Sequence, residues 1–206
     1  NGYFAKNMNN VNAYFDVFFR EIPDGGGYVI FAGLEQIIEY IQNLHFDEED
    51  IIYLKNTNKF SNDFLNYLKN FKFSGDIWSV PEGTVVFPTE PLITVKAPLI
   101  EAQLLETMLL LLINHQSLIA TKASRIVNAA KGRPVMEFGA RRAHSIDAAV
   151  YGARAAIIGG CVGTSCTLTA QKYNVPASGT MAHSFIQSFD SEYEAFKVYA
   201  ENYPDD

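Results

Sequence analysis

From Gly132 onward, short apolar runs alternate with helical stretches, and this rhythm limits the possible folds more than any other feature of the chain. Strands are expected at Val135 to Phe138, Cys161 to Gly163 and Val175 to Ala177. Helices are expected at Ser145 to Ile158, ended by Gly159 and Gly160, then from about Cys166 to Tyr173 and from about Ser191 to Asn202. Strand followed by helix, repeated, is the pattern of parallel strands joined by helical crossovers. Only three such units are legible, whereas a closed eight-stranded barrel takes about 250 residues. The 206 residues therefore read as an α/β chain: an N-terminal α/β (α+β) domain, then the first βα units of an irregular, here incomplete, (β/α) barrel.

The N-terminal part has a different texture. Val11 to Glu21 is aromatic and β-branched and reads as a strand. Pro23 to Gly27 reads as a hairpin turn; without a lysine or a strand–helix setting it is not a phosphate loop. Tyr28 to Ala32 reads as a second strand, and Leu34, Ile37, Ile38 and Ile41 fall at helical spacing. Short amphipathic helices follow between Asp47 and Lys72, with Phe64, Leu65 and Leu68 as their buried side. The acidic run Asp47 to Asp50 reads as a solvated helix start rather than a metal site. "DIWSV", "TVVFP" and "PLITVKA" read as strands. Pro98 suits the first turn of a helix running from Leu99 to about Ala130, with a break expected near Asn114. Its middle is apolar all round, so it should lie between two layers. The division expected is 1–110 for the first domain and 111–206 for the second, linked by helix 99–130.

Charge narrows the function. A net charge of −7 argues against a nucleic-acid or membrane-surface binder, which needs a basic face. An anionic ligand must be met by a few placed cations. Cys161 and Cys166 are neither a redox pair nor half of a zinc site, so they read as small buried groups in a reducing, cytoplasmic setting. The apolar run Met108 to Ile113 is too short to span a bilayer. His45 and His115 read as structural.

Active sites of parallel-strand barrels lie at the C-terminal ends of the strands. Here the first strand is followed by Phe138, Arg141, Arg142 and His144, the second by Thr164 and Ser165, the third by Ser178, Gly179, Thr180 and His183. An aromatic face, fixed cations, hydroxyls and an imidazole suit a flat, anionic, aromatic ligand. The plainer reading pairs the arginines with Glu137 or Asp147 and leaves His183 as an ordinary loop residue.

An ordered series of segments carries a resemblance: "YFDVFFREIPDGGGYVIFAGLEQ" (Tyr14 to Gln36), "EPLITVKAPLIEAQLLET" (Glu90 to Thr107), "EFGARRAHS" (Glu137 to Ser145) and "SGTMAHSF" (Ser178 to Phe185). Together they resemble the nicotinate phosphoribosyltransferases. The resemblance implies a type II phosphoribosyltransferase barrel and a homodimer with shared active sites. It implies that nicotinate, phosphoribosyl pyrophosphate and ATP, with Mg²⁺, give nicotinate mononucleotide, pyrophosphate, ADP and phosphate, the first step of NAD salvage from nicotinate. It assigns His183 to carry a phosphoryl group, Phe138 to stack on nicotinate, Arg141 to fix its orientation or carboxylate, and Thr180 to contact it. Arg142 then serves a phosphate or a structural pair, and Ser178 is a further phosphate contact. No protein metal ligand is assigned. Nicotinamide-using relatives carry an aspartate at the place of Ser165 in "VGTSCT"; a serine there can donate to a carboxylate and favours nicotinate. The alternatives are a nicotinamide-using relative and a truncated, non-catalytic nicotinate-binding homologue. A stacking tyrosine ahead of residue 1, and an arginine and acidic loop beyond "NYPDD", belong to the family pattern outside these residues, so the stretch alone is expected to be inactive.

Overall fold

The computed structural model describes residues 1–204. A one-turn helix, α1 (Gly2–Ala5), precedes strand β1 (Asn12–Val17). Then come β2 (Val29–Ile30), α2 (Leu34–Asn43), α3 (Glu48–Asn56), α4 (Asn62–Lys69), β3 (Asp76–Ser79), β4 (Val85–Val86) and β5 (Ile93–Pro98). Helix α5 (Leu99–Ala129) leads into β6 (Met136–Glu137), α6 (Ile146–Ile158), β7 (Gly163–Thr164), α7 (Thr167–Tyr173), α8 (His183–Gln187) and α9 (Glu192–Asn202).

β5 is the centre of an antiparallel sheet of order β1-β5-β3. Its burial alternates residue by residue, with Ile93, Val95 and Ala97 facing inward, as the period of a half-buried strand requires. These side chains pack on Ala102, Leu105, Leu109 and Ile113 of α5. β2 pairs with β4 rather than with β1, so the segment around Pro23–Gly25 is not a hairpin turn. It is a short 3₁₀ turn in which Asp24 and Gly25 take positive φ of 57° and 61°, and it carries the chain from one sheet to the other. The strand expected to run to Glu21 stops at Val17, where pairing with Ile93 ends.

α5 runs unbroken through Asn114, where a break was expected. Ser117 and Thr121, polar residues in an apolar helix, explain why the helix is specific to this fold. Thr121 Oγ1 accepts from Ile30 N at 2.9 Å, and Ser117 Oγ accepts from Ala32 N at 3.0 Å. The intervening Phe31 N donates the other way, to Thr84 O at 3.0 Å. The free edge of β2 is thus satisfied inside the core by hydroxyls, where an unpaired amide would be costly. By length and composition alone α5 could cross a membrane. Here it packs on β1, β2, β5 and α2, and along its second half on α6.

The contact with α6 depends on small residues. Ala155 and Ala156 are buried there with Ala120 and Ala123, and a Cβ added at Gly159 would lie 2.3 Å from Ala120 O and 2.8 Å from Ala123 Cβ. Both neighbours are fixed atoms of α5. Gly159→Ala should therefore lower stability by about 1–3 kcal/mol through overpacking, read as an earlier midpoint in urea unfolding with an unchanged slope. An unshifted midpoint would show that the two helices separate without cost.

The acidic run Asp47 to Asp50 forms a capping box: Asp50 N donates to Asp47 Oδ1 at 2.9 Å, and Asp47 N to Asp50 Oδ2 at 3.0 Å. The last expected strand reduces to one bridge, Thr164 to Ala177, and the second shifts forward to Gly163–Thr164. α8 begins at His183, inside a stretch expected to be loop.

Candidate functional site at the parallel strand ends

β6 and β7 are parallel, with Met136 opposite Gly163 and Glu137 opposite Thr164. Ala177 joins Thr164 as a third parallel segment. The three chains therefore end on one side. The links continue past the ends: Ser165 N donates to Glu137 O at 2.9 Å, and Ser178 N to Thr164 O at 3.0 Å. Phe138, Ser165 and Ser178 are the residues that leave this edge.

The segment after β6 turns at once. Gly139 leads into a 3₁₀ turn, Ala140–Arg142, and Ser145 then caps α6, its hydroxyl accepting from Ala148 N at 3.1 Å. Phe138 is 43% exposed, and Arg141 and Arg142 are both exposed. Among the described residues neither arginine has an ion-pair partner. Glu137, the nearest acid in sequence, is occupied elsewhere: its carboxylate accepts from Gly139 N and from the Thr164 hydroxyl.

Arg141 and Ser165 line one hollow of about 460 Å³, with Ser145, Cys166 and Leu168. This size is within the range of small-molecule sites. Thr180 lines a different hollow of about 360 Å³, beside Phe185, Tyr199 and Tyr203. Phe138, Arg142, Ser178 and His183 line neither. His183 is exposed at the first position of α8, and its ring has no hydrogen-bond partner among the described residues. The strand ends thus gather Arg141 and Ser165, while Thr180 and His183 stand on the segment beyond Ser178.

A larger hollow, about 740 Å³, is elsewhere, between α2, α5 and the start of α6, lined by residues that include Tyr40, His115 and Tyr151. Its His115 is held below the ordinary 6.5 by burial, and further by the charge of nearby His144. The chemistry-bearing residues of the strand ends are not in it, apart from Ser145. Cys161 is buried, and its thiol is pushed up by that burial and then by the charge of Glu137. Cys166 is the N-cap residue of α7.

One group escaped sequence reasoning. Arg154 of α6 donates to Glu82 at 2.9 and 2.6 Å and to Glu35 at 2.5 Å. Glu82 also accepts from Gly33 N at 2.6 Å and Leu34 N at 3.1 Å, at the start of α2. An arginine inside "YGARAAII" was the available signal, since a charge on an apolar helix face needs a partner.

Comparison with known proteins adds a second line. Residues 1–114 match the family described as nicotinate phosphoribosyltransferase (NAPRTase) N-terminal domain, and residues 134–202 match the nicotinate phosphoribosyltransferase (NAPRTase) family. A nicotinate phosphoribosyltransferase of Mycobacterium tuberculosis is 50% identical over 98% of this chain and 43% of its own length. One of Bacillus subtilis is 46% identical over 98% of this chain and 41% of its own. The crystal structure of human nicotinic acid phosphoribosyltransferase superposes with a TM-score of 0.85 at 33% identity, covering 91% of this chain and 38% of that one. The chain therefore spans about two-fifths of the length of these relatives.

Proposed function

The chain belongs to the nicotinate phosphoribosyltransferase family, and from that premise we propose that the protein containing it joins nicotinate to the ribose of phosphoribosyl pyrophosphate, coupled to ATP. The observation that carries this reading is the hollow at the strand ends, lined by Ser165 and by Arg141, which has no ion-pair partner among the described residues. An anionic heterocycle finds there a guanidinium fork and a hydroxyl donor, with the exposed ring of Phe138 leaving the same edge.

In this reading the pyridine nitrogen of nicotinate attacks the ribose C1, the bond to pyrophosphate breaks, and positive charge develops on the ribose. The residues described here hold the base for that attack. Arg141 orients the carboxylate, Ser165 donates to it, Phe138 covers the ring, and Thr180 supplies a further contact. Arg142 and Ser178 are left to phosphate oxygens. His183, exposed and without a hydrogen-bond partner among the described residues, attacks the γ-phosphorus of ATP through a neutral ring nitrogen: the N–P bond forms as the bond to ADP breaks, and water later releases phosphate. Among the described residues no group of three or more His, Cys, Asp or Glu side chains is placed to hold a metal ion. In this reading the Mg²⁺ of the reaction is carried by the phosphates of the substrates, with carboxylates of the full-length protein beside them. The division at residue 110, a barrel completed by later βα units, a shared-site homodimer and a cytoplasmic location belong to the same proposal.

The test uses the full-length protein. Pyrophosphate release should depend on nicotinate and be negligible with nicotinamide. Ser165→Asp should weaken nicotinate binding by about a hundredfold, because a carboxylate then faces a carboxylate. Equal use of both bases, or an unaltered affinity in Ser165→Asp, would mean that this hollow does not read the carboxylate.

A further inference from the structure

We propose that Glu137 and Thr164 are positioning residues for the base pocket, forming one joint that fixes the loop carrying Phe138 and Arg141 against the loop carrying Ser165. This inference rests on the proposed binding of nicotinate at the strand ends.

The geometry is that of a clasp across two strand ends. One oxygen of the Glu137 carboxylate accepts from Gly139 N, in the loop that leads to Arg141. The other accepts from Thr164 Oγ1 at 2.6 Å. That hydroxyl in turn accepts from Cys166 N at 3.0 Å, one residue past Ser165. On the backbone, Glu137 O accepts from Ser165 N at 2.9 Å. Each carboxylate oxygen thus holds a different segment of the site, and the Thr164 hydroxyl passes the hold to the third residue of the TSC turn.

Two features make this clasp necessary. The β6–β7 ladder has only two residue pairs, so the strands alone define the directions of the departing loops weakly. Gly139 is the residue that lets the carboxylate close: a Cβ there would lie 2.8 Å from Glu137 Oε1. Thr164 is fully buried, at 0% exposure, so its hydroxyl has no water to exchange with. Bonds that involve a charged acceptor are short and strong, and they keep their geometry in such surroundings. Among the described residues Glu137 forms no ion pair with Arg141, four residues on; its two oxygens are turned to Gly139 N and to the Thr164 hydroxyl instead.

The experiment measures nicotinate binding to full-length protein by calorimetry, alongside steady-state kinetics. Thr164→Val keeps the shape of the side chain and removes the hydroxyl. It should weaken nicotinate binding at least about tenfold and raise KM for nicotinate in proportion. The KM values for phosphoribosyl pyrophosphate and ATP should stay unchanged, and Thr164→Ser should restore binding. If Thr164→Val does not fold, Glu137→Asp, which keeps the charge but shortens the reach by one methylene, should show the same separation. Unaltered nicotinate affinity in the variant that folds, or an equal loss for all substrates, would overturn the joint. Absence of nicotinate binding by the unaltered protein would instead overturn the substrate reading, and the joint's role in it.

Discussion

Arg154→Met should reduce the unfolding free energy by about 3–5 kcal/mol, the range for removing one partner of a buried ion pair. The side chain is 11% exposed and Glu82 18%, so neither charge is well hydrated. Methionine fills much of the same volume but leaves Glu82 facing the protein interior with only the amides of Gly33 and Leu34 for company. Gln116 Oε1, 3.5 Å from the guanidinium, loses its contact as well. The face of the Tyr173 ring, 5.2 Å from Arg154 Cζ, loses a cation.

The same pair has a pH signature. Burial by itself raises the Glu82 carboxyl, but the hydrogen bond from Arg154, then those from Gly33 and Leu34 with the charge of Arg154, outweigh it and hold it below 4.5. Folded Glu82 therefore binds a proton less readily than unfolded Glu82. Its stabilisation is fully present above 4.5 and fades as pH falls through the lower folded value. The stability gap between the parent and Arg154→Met should be widest near neutrality and narrow below about pH 4.5. Urea titrations at several pH values would measure it. A gap that is absent at neutral pH, or that does not change in acid, would assign the pair no stabilising role.

His183→Ala in the full-length protein should abolish acid-labile, base-stable phosphate labelling from γ-labelled ATP. ATP should then no longer stimulate the nicotinate-dependent release of pyrophosphate. The expectation follows from an imidazole that is exposed, unpartnered among the described residues and placed at the first position of α8. A buried or hydrogen-bonded ring would have to give up those contacts to attack phosphorus. Label that persists in the variant would move the phosphoryl acceptor to another residue. An active parent that takes no label would remove covalent coupling altogether.

How far the sequence could be read depended on where each cause lay. β5 was legible because its alternation is local and strict, and α2 because its apolar residues recur at helical spacing. The Asp47 cap needs only residues three apart. By contrast, the two-residue strands β6 and β7 exist through pairing across more than twenty-five positions, so their limits could not be read locally. The pairing of β1 with β5, which undoes the hairpin reading, spans the whole first half of the chain. Ser117 and Thr121 carried no signal at all, since their partners lie |i−j| = 85 and 91 away. At the site, the sequence picked out Arg141 and Ser165, which line one hollow. It did not foresee that Thr180 would line a separate hollow with Phe185 and Tyr199. Nor did it assign Glu137 to Thr164, because the alternation after Gly132 specifies strand order but not which side chains meet.

The unbroken α5 has a mechanical consequence. At 1.5 Å per residue, its 31 residues form a rod about 46 Å long. The antiparallel sheet is fastened to its first half and α6 to its second. A stiff beam fastened this way has no elbow at which the two ends can rock. Movement next to the strand ends is then left to short segments such as 179–182, between the bond made by Ser178 N and the start of α8. Amide exchange should accordingly be fast in that segment and slow along the rod and at Gly139, whose N–H the Glu137 carboxylate holds.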